Sequence, residues 1–264
     1  MTQEKRYLED VGMKKLPFPM KVTSKAYPQG QPTIANISVS ARIMHEFQAQ
    51  WIDKFVQIVH SHRDTIGTGY LKTNVRDYLK GLGASAVKVD FEYPFFVEKV
   101  TPVAKEKCLV RYMCTFSAKV SAVRDPKIQL KMEIPVITTF PESSIQLVHR
   151  PFGQLSVVVV EVESSKDVYP EDIVEIVDKH AISGIYSFLT PEDQDFIIER
   201  VRSNSKSSVV MVDEIKEELA HKEDVSWFSV NCSNFGMLHP YTTIIGTEKS
   251  MWIPETDVED YELL

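Results

Sequence analysis

The stretch AVKVDFEYPFFVEK, residues 86–99, decides the fold. Val87, Val89, Phe91, Tyr93, Phe95 and Val97 alternate with Lys88, Asp90 and Glu92. A period of two, apolar on one side and charged on the other, predicts a strand with one buried and one wet face. The next run repeats it through Cys108, Val110, Tyr112, Cys114, Phe116, Ala118 and Val120. Arg-Asp-Pro at 124–126 turns the chain, and Ile128, Leu130, Met132, Ile134 and Val136 alternate once more. Three long one-sided strands in succession predict an antiparallel sheet.

Working outward, PTIANISVSARI before this block and QLSVVVVEVE after it read as further strands, and LPFPMKV as an edge segment. Phe47, Trp51, Ile52, Phe55, Val56 and Val59 recur at helical spacing and predict a helix over roughly 45–62. Leu71, Val75, Tyr78, Leu79 and Leu82 predict a second, closed by Gly81 and Gly83. YPEDIVEIVDKHAISGIYSFL, TPEDQDFIIERV and VVMVDEIKEELAHK read as three more helices, the second with Thr190 as N-cap and Pro191 at the first helical position. VSWFSVNC and LHPYTTIIG close the chain as strands. The pattern of strand, helices and strands occurs twice, which predicts an α+β protein with helices on one face of an antiparallel sheet.

The chain has 264 residues, 43% hydrophobic and 25% charged, ordinary for a globular protein that builds a sizeable core. Net charge is −7, with five acids and no base in the tail PETDVEDYELL. No basic patch with interleaved aromatics supports nucleic-acid binding, and no apolar run suits a membrane span. The three cysteines, Cys108, Cys114 and Cys232, lack CxxC spacing and read as reduced thiols of a cytoplasmic protein. Cys108 and Cys114 fall on the apolar parity of their strand and read as small core residues. His60 and His62, two apart near a helix end, make a poor ligand pair. GTGYLKTN from Gly67 lacks the spacing of a phosphate loop and reads as a turn between helices.

VGMKKLPFPMKV, EYPFFVEKVTPVAKEK, EIPVITTFPESS, SGIYSFLTPED and VNCSNFGMLHPY occur in an order and spacing that resembles the type IB GTP cyclohydrolase family, which includes the archaeal enzymes of methanopterin synthesis. The similarity extends to about Gly246. It implies the tunnelling fold (T-fold) with two fused units, about 30–125 and 126–248, inside a domain of residues 1–250 and ahead of an acidic tail at 251–264. It also implies a homo-oligomer, dimer or tetramer, with purine or pterin sites at subunit interfaces. The implied reaction opens GTP to dihydroneopterin triphosphate with one divalent metal, Zn, Mn or Fe.

Several motif positions depart from that family. Its Leu-Cys-Pro-Cys-Ser segment reads Thr139-Phe140-Pro141-Glu142-Ser143, so a phenyl ring stands where a thiolate would hold metal. Its Gly-Thr-His-Met-Ser-Arg-Phe motif places Trp51 at the His and Lys54 at the Arg. The acid implied to anchor the guanine ring falls on Val209, and that of Asn-Phe-Glu-Ser-Ile-His on Gly236. The surviving polar residues define a candidate site: Glu142 and His149 as catalytic groups, Gln154 and Lys54 on substrate, and Glu142, His149, Asp193 and His239 as a Cys-free metal set. Against this, Asp193 and Glu192 are also what the first turn of any helix favours, and a strand-end histidine is ordinarily just hydrogen-bonded. Three readings follow: a divergent purine- or pterin-binding member without the ordinary GTP reaction, a GTP cyclohydrolase-like metal-dependent hydrolase with a relocated, Cys-free site, or another reaction on a purine or pterin ligand at the same interfacial pocket.

Overall fold

The computed structural model describes residues 9–44, 48–64, 66–139, 153–236 and 240–249. Its strands are β1 (Glu9–Val22), β2 (Gln31–Ile43), β3 (Ala84–Val100), β4 (Lys107–Ser121), β5 (Lys127–Thr139), β6 (Gly153–Ser164), β7 (Ser183–Gly184), β8 (Val225–Phe235) and β9 (Thr243–Glu248). The helices are α1 (Gln50–His62), α2 (Thr68–Leu82), α3 (Pro170–His180), α4 (Pro191–Ser203) and α5 (Ser208–Ala220). All the described strands join one antiparallel sheet in the order β1-β2-β3-β4-β5-β6-β8-β9, with β7 attached to β5. β1 is an edge strand, as its Pro17 and Pro19 allow.

The alternation of residues 86–99 places Val89, Phe91, Tyr93 and Phe95 in the core. Their strand pairs with β4 from Ala86↔Ser121 to Val100↔Lys107. The inward residues of β2 through β6 and β8 form one continuous apolar layer with the buried faces of α1, α2, α3 and α5. The predicted unit boundary near 125 lies in the β4–β5 turn, and the sheet runs unbroken across it.

Three local expectations change. Among the described residues the first helix begins at Gln50, later than predicted. The helix predicted through Leu189 ends at His180, where Ala181 turns extended and β7 begins. GTGYLKTN is no plain turn: Gly67 is the N-cap and Thr68 the first residue of α2, beside a cavity of about 180 Å³ lined by Thr23, Phe116 and Tyr169. Gly83 ends α2 at φ 61°, the left-handed cap that favours glycine.

β4 and β5 pair only from Met113↔Glu133 to Lys119↔Lys127 and then diverge. β6 occupies the other edge of β5 at Val136↔Ser156, so β7, paired at Val136↔Gly184, fills the gap on the β4 side. Lys99 stands in the same wedge. Its Nζ lies 2.5 Å from Asp178 Oδ2 of α3, 3.4 Å from Tyr112 Oη and 4.7 Å from the centre of the Tyr186 ring. The pair ties the first half of the chain to the second.

His60 and His62 point apart: His60 is exposed, and His62 packs against Tyr70 and Tyr78 with Nδ1 buried and unpartnered. Burial holds the His62 pKa down, against a smaller upward pull from Asp77. Protonation is therefore harder in the folded protein, and stability is expected to fall as pH drops below the ordinary histidine range of about 6.5. His62→Gln should flatten that fall, read by urea denaturation at pH 7 and pH 5; an unchanged slope would remove His62 from the account.

Candidate functional site

The two segments that carry Glu142, His149 and His239 lie outside the described residues, but their anchors are neighbours. Thr139, the last residue of β5, is the partner of Gly153, the first of β6. Leu155 of β6 pairs with Phe235 at the end of β8. Both connections therefore leave the sheet from the same end of three adjacent strands. The start of α5 joins them: Ser207, its N-cap, bridges to Thr139, and the Thr139 amide donates to the Lys206 carbonyl at 3.0 Å.

At this end the core changes character. The inward register of β5, β6 and β8 switches from Val136, Val158 and Val230 to Thr138, Ser156, Gln154 and Asn234, all buried. Gln154 Nε2 donates to Thr138 Oγ1 at 3.2 Å and to the Thr139 carbonyl at 3.3 Å. Thr138 and Ser156 hydroxyls are 2.7 Å apart, and Ser156 donates to Asn234 Oδ1 at 2.7 Å. Asn234 Nδ2 donates to Ser208 Oγ at 2.9 Å and to Thr243 Oγ1 at 3.2 Å. Sequence reasoning singled out Gln154 and missed the others. Their signal was available: polar residues at core parity at one end of three strands.

Gln154 thus spends its amide protons inside the protein. Lys54 is exposed on α1, which packs against α2, away from the strands of this network. Asp193 is fully buried and fully used. Its Oδ1 accepts from the amides of Val103 (2.7 Å) and Ala104 (3.0 Å), and its Oδ2 accepts from the Thr190 amide and hydroxyl. Burial pushes its pKa up, but these four donors outweigh burial and hold the carboxyl far below the usual range. The Thr190 hydroxyl in turn caps the Asp193 amide, a reciprocal capping box.

The metal implied by the resemblance finds no fit among the described residues. Cys108, Cys114 and Cys232 are free, buried core thiols. Burial raises the pKa of Cys114, and pushes that of Cys232 to about 11 against a hydrogen bond with Ser156. Thiols so raised do not present the thiolate that metals take. No group of three or more His, Cys, Asp or Glu among the described residues is placed to hold a metal ion. No described helix is long and apolar enough to cross a membrane.

Residues 2–244 match the protein family described as Type I GTP cyclohydrolase folE2. The chain is 32% identical over 240 residues to the GTP cyclohydrolase FolE2 of Geobacter sp. (strain M21), covering 91% of this chain and 89% of that protein. It is 33% identical, over the same shares, to that of Citrifermentans bemidjiense. Among solved structures, the uricase of Arthrobacter globiformis superposes with TM-score 0.55 at 9% identity, over 99% of this chain and 100% of that one. A uricase described as from Bacillus fastidious gives 0.53 at 11%, over 93% and 94%. That likeness extends to the fold alone, an antiparallel sheet with helices on one side, as the tunnelling-fold resemblance implies. With a family match over most of its length and relatives above 30% identity, the chain belongs to the type I GTP cyclohydrolase folE2 family.

Proposed function

We infer that this protein is a divergent member of its family that binds a purine or pterin and does not carry out the ordinary conversion of GTP to dihydroneopterin triphosphate. What supports the reading is the work now done by residues at positions where the resemblance implies chemistry. Trp51, where it implies a histidine, is 4% exposed and stacked on Phe55 at 6.3 Å in the core. Val209, where it implies an acid, is 49% exposed and apolar. Gly236 has no side chain, and Asp193 has no acceptor position left. Two fused units, a homo-oligomer with its sites between subunits, and a cytoplasmic location belong to the same reading. The exposed Ile137-side neighbours Leu155, Phe235 and Ile244, close together on the helix-free face, suit a contact between copies.

A second reading has one observation in its favour: the described strand ends that flank the segments carrying Glu142, His149 and His239 are neighbours, with Thr139 paired to Gly153 and Leu155 to Phe235. A carboxylate and two imidazoles brought together suit Mn²⁺ or Fe²⁺. The test is metal content and GTP turnover to a fluorescent pterin, after loading with Zn²⁺, Mn²⁺ or anaerobic Fe²⁺. No turnover above buffer is expected. Turnover that Glu142→Ala and His149→Ala abolish would instead establish a Cys-free hydrolase.

A further inference from the structure

The cavity between α2 and the β6–α3 connection lies apart from the strand-end site. Phe116, on its wall, pairs with Leu130 of β5, and Thr138 stands eight residues further along that strand, about 26 Å away. At about 180 Å³ the cavity matches those that take up one small organic molecule, about 150 Å³. Three aromatic residues from three elements line it: Tyr70 of α2, Phe116 of β4 and Tyr169, the residue before α3. Asp167 is the one charged residue on the lining, and no described lysine, arginine or histidine joins it. Its carboxylate lies against the first turn of α2, where a Cβ on Gly69 would come within 2.6 Å of Oδ1. The positive end of the helix offsets only about half a charge there, so the balance stays negative. A second carboxylate adds to it. Glu171, two residues beyond Tyr169, accepts from the Ala26 amide at Oε1 (3.2 Å), while its Oε2 is buried without a partner. The neighbouring Lys25 is engaged with Asp172. Tyr93, stacked on Phe116 at 5.9 Å, also has a buried hydroxyl without a partner. Buried polar atoms ordinarily have partners, and a carboxylate oxygen calls for a donor or a cation.

We propose that this cavity binds a small organic ammonium ion, held by the aromatic walls and by the charges of Asp167 and Glu171. Aromatic rings attract cations electrostatically and accept the methyl groups of a quaternary ammonium as apolar surface. An anion would meet two carboxylates, and a neutral apolar guest would leave both unanswered. The lining comes from both halves of the chain: Tyr70 and Phe116 from the first, Asp167 and Tyr169 from the second. A bound cation therefore ties the halves together and stabilises the folded protein by mass action. This site is independent of the purine- or pterin-binding reading and stands or falls without it.

Choline is the probe, read by calorimetric titration and by melting temperature. Dimethylbutanol, the same shape without the charge, and potassium chloride, a charge without the methyl groups, are the controls. Choline should bind and raise the melting temperature. Dimethylbutanol should bind about tenfold more weakly, and potassium should neither bind nor protect. Asp167→Asn, at an exposed residue, should weaken choline about fivefold in protein whose melting curve stays cooperative. Tyr169→Leu keeps an apolar wall without a ring, and should weaken choline while leaving dimethylbutanol unchanged. Equal affinity for choline and dimethylbutanol would make the cavity merely apolar and overturn the proposal. So would choline binding that neither Asp167→Asn nor Tyr169→Leu alters, which would place the cation elsewhere, or a wild-type protein that binds no choline.

Discussion

Lys99→Met is expected to lower the free energy of unfolding by about 3 kcal/mol at neutral pH, the cost of stranding one member of a buried ion pair. The Lys99 side chain is 10% exposed and that of Asp178 23%, so neither charge has bulk water to fall back on. Asp178 Oδ1 is buried without a partner, and burial already raises the Asp178 pKa despite the pull of Lys99. A carboxyl whose folded pKa lies above its unfolded value takes up a proton more readily when folded. Its ionised form costs stability above that pKa, and the cost fades as pH falls through it. Without Lys99 the cost grows, so the deficit of Lys99→Met against wild type should shrink between about pH 7 and about pH 4. Lys99→Met combined with Asp178→Leu should recover much of the loss, since an apolar pair replaces a buried ionic one at little cost. Urea denaturation across that range decides: a pH-independent deficit would mean that Lys99 contributes packing alone. A Cβ on Gly184 would overlap both charged groups, which explains a glycine in a strand as short as β7.

The location of this pair shows what the sequence revealed and what it hid. Alternation from Val87 to Val97 was legible because each residue answers to one face of one strand. The same parity puts Lys99 on the inward side, a conflict visible in the letters. Its resolution was not visible, because Asp178 lies far along the chain at the end of α3 and meets Lys99 only where β4 and β5 part. β7 was hidden for a related reason: two residues, Ser183 and Gly184, carry no periodicity, and their strand character comes wholly from pairing with β5. At the candidate site, motif comparison pointed to the loops and to charged or imidazole side chains. The described chemistry is instead a ladder of small hydroxyls and amides, with Thr138, Ser156 and Asn234 each an unremarkable letter beside apolar neighbours. Their meaning depends on three strand ends arriving together, which is tertiary information.

Asp193 is where one residue admitted two roles, as metal ligand or helix cap, and the geometry favours the cap. Asp193→Asn should lower the melting temperature by roughly 10 °C, because an amide cannot accept on both sides of its plane. Whichever way it is turned, its NH₂ faces either the amides of Val103 and Ala104 or the Thr190 donors. The damage is not confined to α4, since the Val103 and Ala104 amides belong to the β3–β4 connection, where Lys105 holds a left-handed φ of 59°. The acid signature separates this role from others. Hydrogen bonds hold the folded pKa below the unfolded value of 3.8, so the stabilisation is fully present above that value, declines below it and is lost as pH falls through the lower folded pKa. The gap between wild type and Asp193→Asn should therefore be full at neutral pH and narrow below about pH 4. If Asp193 were instead a metal ligand, the variant would lose bound Mn²⁺ or Fe²⁺ while melting, in chelator, at the wild-type temperature. Melting curves with and without chelator, at neutral and acid pH, distinguish a carboxylate that holds two parts of the fold together from one that holds an ion.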